Sequence, residues 1–286
     1  MEITAATIAQ RGQIRALWAE CFPDETFQKW FFANLYREEY TVVALCGGQV
    51  AAMALRIPQR IALPDGRAYD VTYIYGACTA KAFRRQGLMA AILRYTFALD
   101  EAEGKCASVL IPQEEWLFGF YEKFGYQPVF RLRRQEEAAL TEQAHYTACR
   151  VRELDLPLLQ QLYEVHMFRH MHLLRGGDMW SSILSMYRST GGEALVCMDA
   201  ENIPCGYLFG YRDGNTASAQ EVVAADDEAR RTLLAAFAAR CGAETVRSCT
   251  PDACSGEPFG CMRVHFLPAG VCEADLARGY MNLLWN

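Results

Sequence analysis

No run in this chain approaches the ~18 consecutive apolar residues that a membrane span needs, and the opening MEITAATIAQRGQIR has no basic segment leading into an apolar one. A spanning helix and a secretory signal are therefore not expected; the chain reads as cytoplasmic, with no membrane partner. There is no excess of basic charge: 28 Lys and Arg stand against 34 Asp and Glu, a net −6. That balance leaves out the electrostatic footprint of a nucleic-acid binder and mildly favours cationic or neutral partners. The twelve cysteines contain no CxxC pair, and Cys46, Cys197 and Cys205 fall inside apolar strand-like runs, so reduced and mostly buried thiols are expected. No GxxxxGK followed by Ser or Thr occurs, nor three glycines at dinucleotide-binding offsets, which excludes both of those phosphate loops. No histidine precedes His145.

What is present is the pattern of an ordinary globular chain: 286 residues, 52% hydrophobic and 22% charged, long enough for one large or two medium domains. Ile14, Leu17, Trp18 and Cys21, then Phe27, Trp30 and Phe31, recur at helical spacing, and Asp24 is placed to cap the second of these helices. TVVALC and QVAAMALRI are short β-type runs split by Gly47-Gly48, a pair that tolerates the positive φ of a tight hairpin. QRIAL and AYDVTYIYGAC flank the turn signature Pro64-Asp65-Gly66. Beyond them Leu88, Ile92, Tyr95 and Leu99 form a helical stripe that should stop near Gly104. CASVLI reads as a strand, EEWLFGFYEKF as a short amphipathic helix, and YQPVFRLRR as the strand that closes this half.

From about Cys149 the same plan recurs: helices in LPLLQQLYEVHMF and MWSSILSMY, a hairpin of EALVCM and PCGYLFGYR, then SAQEVVA, the helix DEARRTLLAAFAARCG and the strand TVRSCT. Two related halves are expected, domains 1–135 and 149–286, joined by a polar linker at 136–148 within RRQEEAALTEQAHY.

Between the strand ending at Thr79 and the helix starting near Leu88 lies AKAFRRQG, a connection that leaves main-chain amides free at a helix N-terminus. Gly87 has no Cβ to block an approaching phosphate, and the helix dipole with Arg84 and Arg85 favours a doubly charged group such as a pyrophosphate. A plain connection with exposed arginines is the bland alternative.

Arg84-Arg85-Gln86-Gly87-Leu88-Met89 resembles the acetyl-CoA loop of the GCN5-related N-acetyltransferase (GNAT) superfamily, with Met89 where a small residue is usual. FYEKFGYQPV resembles that family's second signature, a tyrosine (Tyr121) four residues before a glycine (Gly125). With the degenerate second half, the chain resembles tandem acetyltransferases related to the enhanced intracellular survival (Eis) proteins, without room for their further C-terminal domain.

The resemblance implies an α+β fold of two tandem GNAT-like domains, each a mixed, mostly antiparallel sheet flanked by helices. It implies direct transfer of acetyl from acetyl-CoA to a primary amine of a small molecule or peptide, with no metal. Ala77, Cys78 and Thr79 would hold the pantetheine arm, Arg84 to Met89 the pyrophosphate, and Tyr121 would be the general acid. In the tandem relatives the terminal carboxylate, here on Asn286, can serve as base. Oligomerisation stays open. Rivals are a non-catalytic acyl-CoA sensor and an acyl or aminoacyl transferase on the same fold. Cys78 as a covalent acyl carrier is disfavoured, since no histidine is placed to activate it, and His166, His170 and His172 are read as structural rather than as metal ligands.

Overall fold

The computed structural model describes residues 1–138 and 145–285. In chain order its elements are β1 Glu2–Ala5, α1 Arg11–Cys21, α2 Glu25–Asn34, β2 Thr41–Cys46, β3 Gln49–Ala62, β4 Ala68–Thr79, α3 Leu88–Ala102, β5 Ala107–Leu110, α4 Trp116–Glu122, β6 Gln127–Ala138 and β7 Thr147–Arg150. There follow α5 Leu156–Met167, β8 Met171–Leu173, α6 Gly177–Thr190, β9 Glu193–Met198, β10 Pro204–Asp213, β11 Thr216–Ala224, α7 Asp227–Cys241, β12 Thr245–Pro251, β13 Glu257–Val264 and β14 Gly279–Tyr280. They gather into two units: Met1–Ala62 with Ala68–Pro128 and Gly260–Glu273, and Leu63–Arg67 with Val129–Phe259 and Ala274–Asn286.

The first unit's sheet runs β1-β2-β3-β4-β5-β13, antiparallel except for the parallel pair β4 and β5. Local chemistry sets its elements. Asp24 accepts a hydrogen bond from Phe27 N at 2.9 Å and so caps α2, and Gly47 and Gly48 both take positive φ in the β2–β3 turn. The apolar stripe of α3 buries Leu88, Ile92, Leu93 and Phe97 against Val42, Ala44, Ala52 and Ile74. α1 and α2 bring an aromatic cluster: Trp18 stacks on Phe31 at 4.1 Å and tilts over Tyr75 at 6.0 Å.

The second unit repeats the plan, with β9, β10, β11, α7 and β12 standing as β2, β3, β4, α3 and β5 do in the first. Its sheet runs β6-β12-β11-β10-β9-β7, again with a single parallel pair on this path, β11 with β12. Leu233, Leu234 and Phe237 of α7 pack on Leu195, Leu208 and Val222. Each unit is thus a mixed, mostly antiparallel sheet flanked by helices, an α+β fold in two related halves.

Two expectations are corrected here. Glu136 to Ala138, expected at the head of the linker, are strand: β6 pairs with β12 from Leu132 opposite Pro251 to Ala138 opposite Thr245. The charges that suggested a linker are met from within the same unit, where Arg247 binds Glu136 at 2.9 Å and Arg230 binds Glu137 at 2.6 Å. Polar composition marks exposure, not irregular backbone. Residues 147 and 148 are likewise strand, in β7, while residues 139–144 of the expected linker lie outside the described residues. The second correction concerns closure. β6 was expected to close the first sheet, yet the strand beside β5 is β13, with Cys261 to Val264 opposite Leu110 to Ala107.

Candidate active site

β4 is the element that positions the candidate groups. Against β3 its register shifts: Met53 opposes Cys78 and Leu55 opposes Tyr75, so Gly76 and Ala77 together face Ala54. This is a β-bulge, and Gly76 makes it possible with φ +57. A Cβ there would lie 2.5 Å from the Trp18 ring, so the position requires glycine on both counts. On its other edge β4 pairs with β5 only from Val71 to Tyr73. β4 runs on to Thr79, past the last of these pairs.

Past Thr79 the chain takes a turn of 3-10 helix at Lys81–Phe83 and enters α3 at Leu88. Arg84 Nε donates to Thr79 O at 3.1 Å, Gln86 Nε2 to Ala82 O at 3.4 Å, and Lys81 N to Glu20 Oε1 at 2.6 Å, which brace the loop. Arg85 takes φ +62, a conformation L residues adopt at a cost of order 1–3 kcal/mol and one found at functional loops. Gly87 caps the helix with φ +78 and open space where a Cβ would be. The first intrahelical bond there is Ala91 N to Gly87 O, no side chain caps α3, and its first turn holds no acid. The amides of Leu88, Met89 and Ala90 therefore point their positive end of the dipole outward from an exposed loop.

Tyr121 lies on α4, 8% exposed, its ring edge-on to Tyr126 at 5.7 Å. Burial, with smaller contributions from the nearby Cys261 and Cys78, pushes its phenol up to about 12, so it is a proton donor at any ordinary pH. Tyr121 shares a buried cluster with Ile74 of β4, and Ala77 packs against that cluster. Cys78 itself is buried, and its hydrogen bond to Cys21 and its burial both hold its thiol well above the ordinary range. A thiol so held is a poor nucleophile.

The remaining candidates fall elsewhere. His166 and His170 line a small hollow of the second unit with Asp252 and Cys254, while His172 is buried with Nδ1 2.8 Å from His170 O. Among the described residues no group of three His, Cys, Asp or Glu is arranged to hold a metal. Asn286 lies outside the described residues. The sequence reading missed three groups at the β4 end. Gly76 had a signal, an isolated glycine inside a strand pattern; Trp18 and Cys21 had none, because what they touch is distant in sequence.

A family model described as an acetyltransferase (GNAT) domain matches residues 2–129. Over this stretch the chain is similar to GNAT acetyltransferase domains. Among solved structures the whole chain is similar to a probable N-acyltransferase of Enterococcus faecalis V583, with TM-score 0.73 and 14% identity over 92% of this chain and 72% of that one. It is also similar to Eis1 of Mycobacterium abscessus, with TM-score 0.66 and 13% identity over 93% and 74%. A tandem GNAT protein from the clavulanic acid biosynthesis pathway aligns with TM-score 0.58 and 11% identity over 93% and 100%. At these identities the likeness establishes a shared tandem GNAT fold. No curated protein matches the sequence. The GNAT fold supports acyl transfer from acyl-CoA, and no helix among the described residues is long and apolar enough to cross a membrane.

Proposed function

We propose that the chain is an N-acetyltransferase that moves acetyl from acetyl-CoA to a primary amine of a small molecule or peptide by direct attack. The observation that carries this reading is the course of β4, which bulges at Gly76, continues past its last pair with β5 and runs through Arg84 to Gly87 into the uncapped N-terminus of α3. When bound, acetyl-CoA supplies a thioester carbonyl open to an amine. The chain's own groups then divide the work. The amides at Gly87, Leu88 and Met89, with Arg84, Arg85 and Gln86, hold the pyrophosphate at the positive end of the helix. The edge at Ala77, Cys78 and Thr79 takes the pantetheine amides as an added strand would, and a main-chain amide of the bulge stabilises the carbonyl oxygen as charge builds on it. Tyr121 donates to the departing sulphur. Direct attack is favoured over an acyl-cysteine route because the Cys78 thiol is buried and held protonated.

Acetyl-CoA is expected to raise the melting temperature, by the equivalent of about 2.7 kcal/mol at a hundredfold excess over Kd. Gly87→Glu is expected to abolish that rise, because its carboxylate would stand where the pyrophosphate binds. Each protein is measured against its own ligand-free baseline, and an undiminished rise in the variant overturns the loop assignment. Turnover with a panel of polyamines, aminoglycosides and peptides, read as steady thiol release, separates an enzyme from a silent sensor.

The second unit should take no coenzyme. There Asp226 Oδ1 accepts from Ala229 N at 2.8 Å, and Asp227 and Glu228 occupy the first turn of α7. The helix end is already capped by carboxylates that repel phosphate. Titration calorimetry is expected to give one acetyl-CoA per chain; two sites would contradict this.

A further inference from the structure

The short helix α4, which carries Tyr121, is held at its end by a side chain of β13. Arg263 donates from Nε to Phe124 O at 3.1 Å, lays its guanidinium 4.2 Å from the centre of the Phe97 ring, and lies against Gly125, where a Cβ would meet its side chain at 3.8 Å. Its Nη1 donates to Nδ1 of His265. A guanidinium has no acceptor, so Nδ1 gives its lone pair to this bond and the hydrogen of the neutral ring lies on Nε2. We propose that Arg263 is a positioning residue that fixes the end of α4, and with it Tyr121, and that His265 governs it: the neutral ring holds the guanidinium and the protonated ring releases it.

A helix of seven residues with no side chain capping its start does not persist by itself, so its place is set by what holds its ends. Phe124 N bonds Tyr121 O at 2.9 Å, which puts the carbonyl that Arg263 grips one turn from the backbone of Tyr121. The surroundings of His265 make the hold sensitive to a proton. Its side chain and that of Asp100 are fully buried, with Nε2 3.3 Å from Asp100 Oδ2 and no hydrogen bond formed by either atom, and Nδ1 lies 3.8 Å from Glu101 Oε1. Arg56 of β3 and Thr72 of β4 bind the other oxygen, Asp100 Oδ1, at 2.6 and 2.7 Å, and Glu103 is taken up by Arg56 and Lys105. A second proton on the ring turns the Nδ1 lone pair into an N–H that opposes the N–H of Arg263, cation against cation. Glu101, 4.0 Å from Arg263 Nη1, is placed to draw the released guanidinium aside. The effect on Tyr121 rests on the acetyl-transfer reading given above; the clamp itself does not.

Hydrogen exchange of the full-length protein tests the clamp, read on the peptide from Trp116 to Tyr126 at about pH 8 and about pH 5.5, the span over which histidines ordinarily change charge, and corrected for the intrinsic rate at each pH. Protection is expected to fall roughly tenfold or more on acidification of the parent, the usual worth of a charged hydrogen bond. It is expected to be low at both pH values in Arg263→Met and high at both in His265→Asn, whose amide oxygen stands near Nδ1 and accepts without titrating. Parental protection in Arg263→Met overturns the clamp, and an equal fall in His265→Asn overturns the control by pH; the second comparison needs no change at Arg263, so it stands even if Arg263→Met does not fold. Turnover with acetyl-CoA and the amine of the panel above that releases thiol fastest tests the link to Tyr121. Arg263→Met is expected to lower kcat roughly tenfold or more with the acetyl-CoA thermal rise kept, and to cost nothing further in a Tyr121→Phe background, where no hydroxyl is left to position. The ratio of parental to His265→Asn rates, in which titration of the amine cancels, is expected to fall on acidification. An equal loss in both backgrounds overturns the positioning role, and a flat ratio overturns its control by pH. If no amine turns over, the enzyme reading and the link to Tyr121 fall together, while exchange still decides the clamp.

Discussion

Tyr121→Phe is expected to keep acetyl-CoA affinity and to lower turnover by roughly 10²-fold or more, the usual worth of a positioned proton donor. The substitution retains the ring that packs edge-on against Tyr126 at 5.7 Å and Phe120 at 5.2 Å, and removes only the hydroxyl. Folding and coenzyme binding should therefore be nearly unchanged, which isolates the loss in the chemical step. With its phenol pushed up to about 12 by burial, Tyr121 stays protonated through the alkaline range, so it should impose no fall in kcat below about pH 11. A phenol this weakly acidic does not release its proton to a resting thiolate, whose ordinary pKa is about 8.5. Donation is instead coupled to breaking of the thioester bond, when charge gathers on sulphur. Single-turnover rates measured with saturating acetyl-CoA decide the matter, and equal rates for parent and variant would remove Tyr121 from the mechanism.

Arg175→Met is expected to remove about 3–5 kcal/mol of stability, because it strands a buried carboxylate. Arg175 and Glu221 are fully buried in the second unit and meet through two parallel bonds of 2.6 and 2.7 Å. Tyr207 and Tyr280 also donate to Glu221, and the Arg175 guanidinium lies 4.2 Å from the Tyr163 ring centre and 5.0 Å from that of Trp180. The same guanidinium donates to Asn282 O at 2.5 Å, and Asn282 Nδ2 donates to Gln220 O at 3.0 Å. This network anchors the final stretch, in which Tyr280 to Trp285 are all buried. Removing the arginine alone leaves Glu221 with a desolvated charge and frees the final residues. Arg175→Met combined with Glu221→Leu removes both charges and should recover much of the loss, since an apolar pair of similar volume is often no worse than a buried ion pair. Denaturant midpoints of the full-length parent, single and double variants test this. A double variant as unstable as the single one would show that packing, not the stranded charge, sets the effect.

Much of the backbone plan was legible along the chain because it is written at short range. Apolar periodicities near 3.6 and 2 marked the helices and strands of both halves, Asp24 announced its cap, and Gly47-Gly48 its hairpin. The loop was legible for the same reason. Arg84 to Gly87 lie between a β pattern and a helical one, and the strand end at Thr79 and helix start at Leu88 follow from where those patterns change. Tyr121 could be placed on a short helix four residues before Gly125 without knowing what it touches.

What the sequence alone determined, then, is the set of local elements and the residues each carries; which of them meet was decided only by the tertiary structure. β6 and β13 illustrate the difference. Either strand has the pattern to lie beside β5, and pairing energy depends on side-chain neighbours that exist only once the sheet has formed. Glu136 and Glu137 look like linker residues until Arg247 and Arg230, more than ninety positions away, satisfy them. Arg175 reads as a surface residue until Glu221 accompanies it into the core. Cys21 is one thiol among twelve until α1 sets its Sγ 3.8 Å from Thr79 O of β4. In each case the deciding term is a contact between groups far apart in the chain, and neither periodicity nor composition carries information about such a contact.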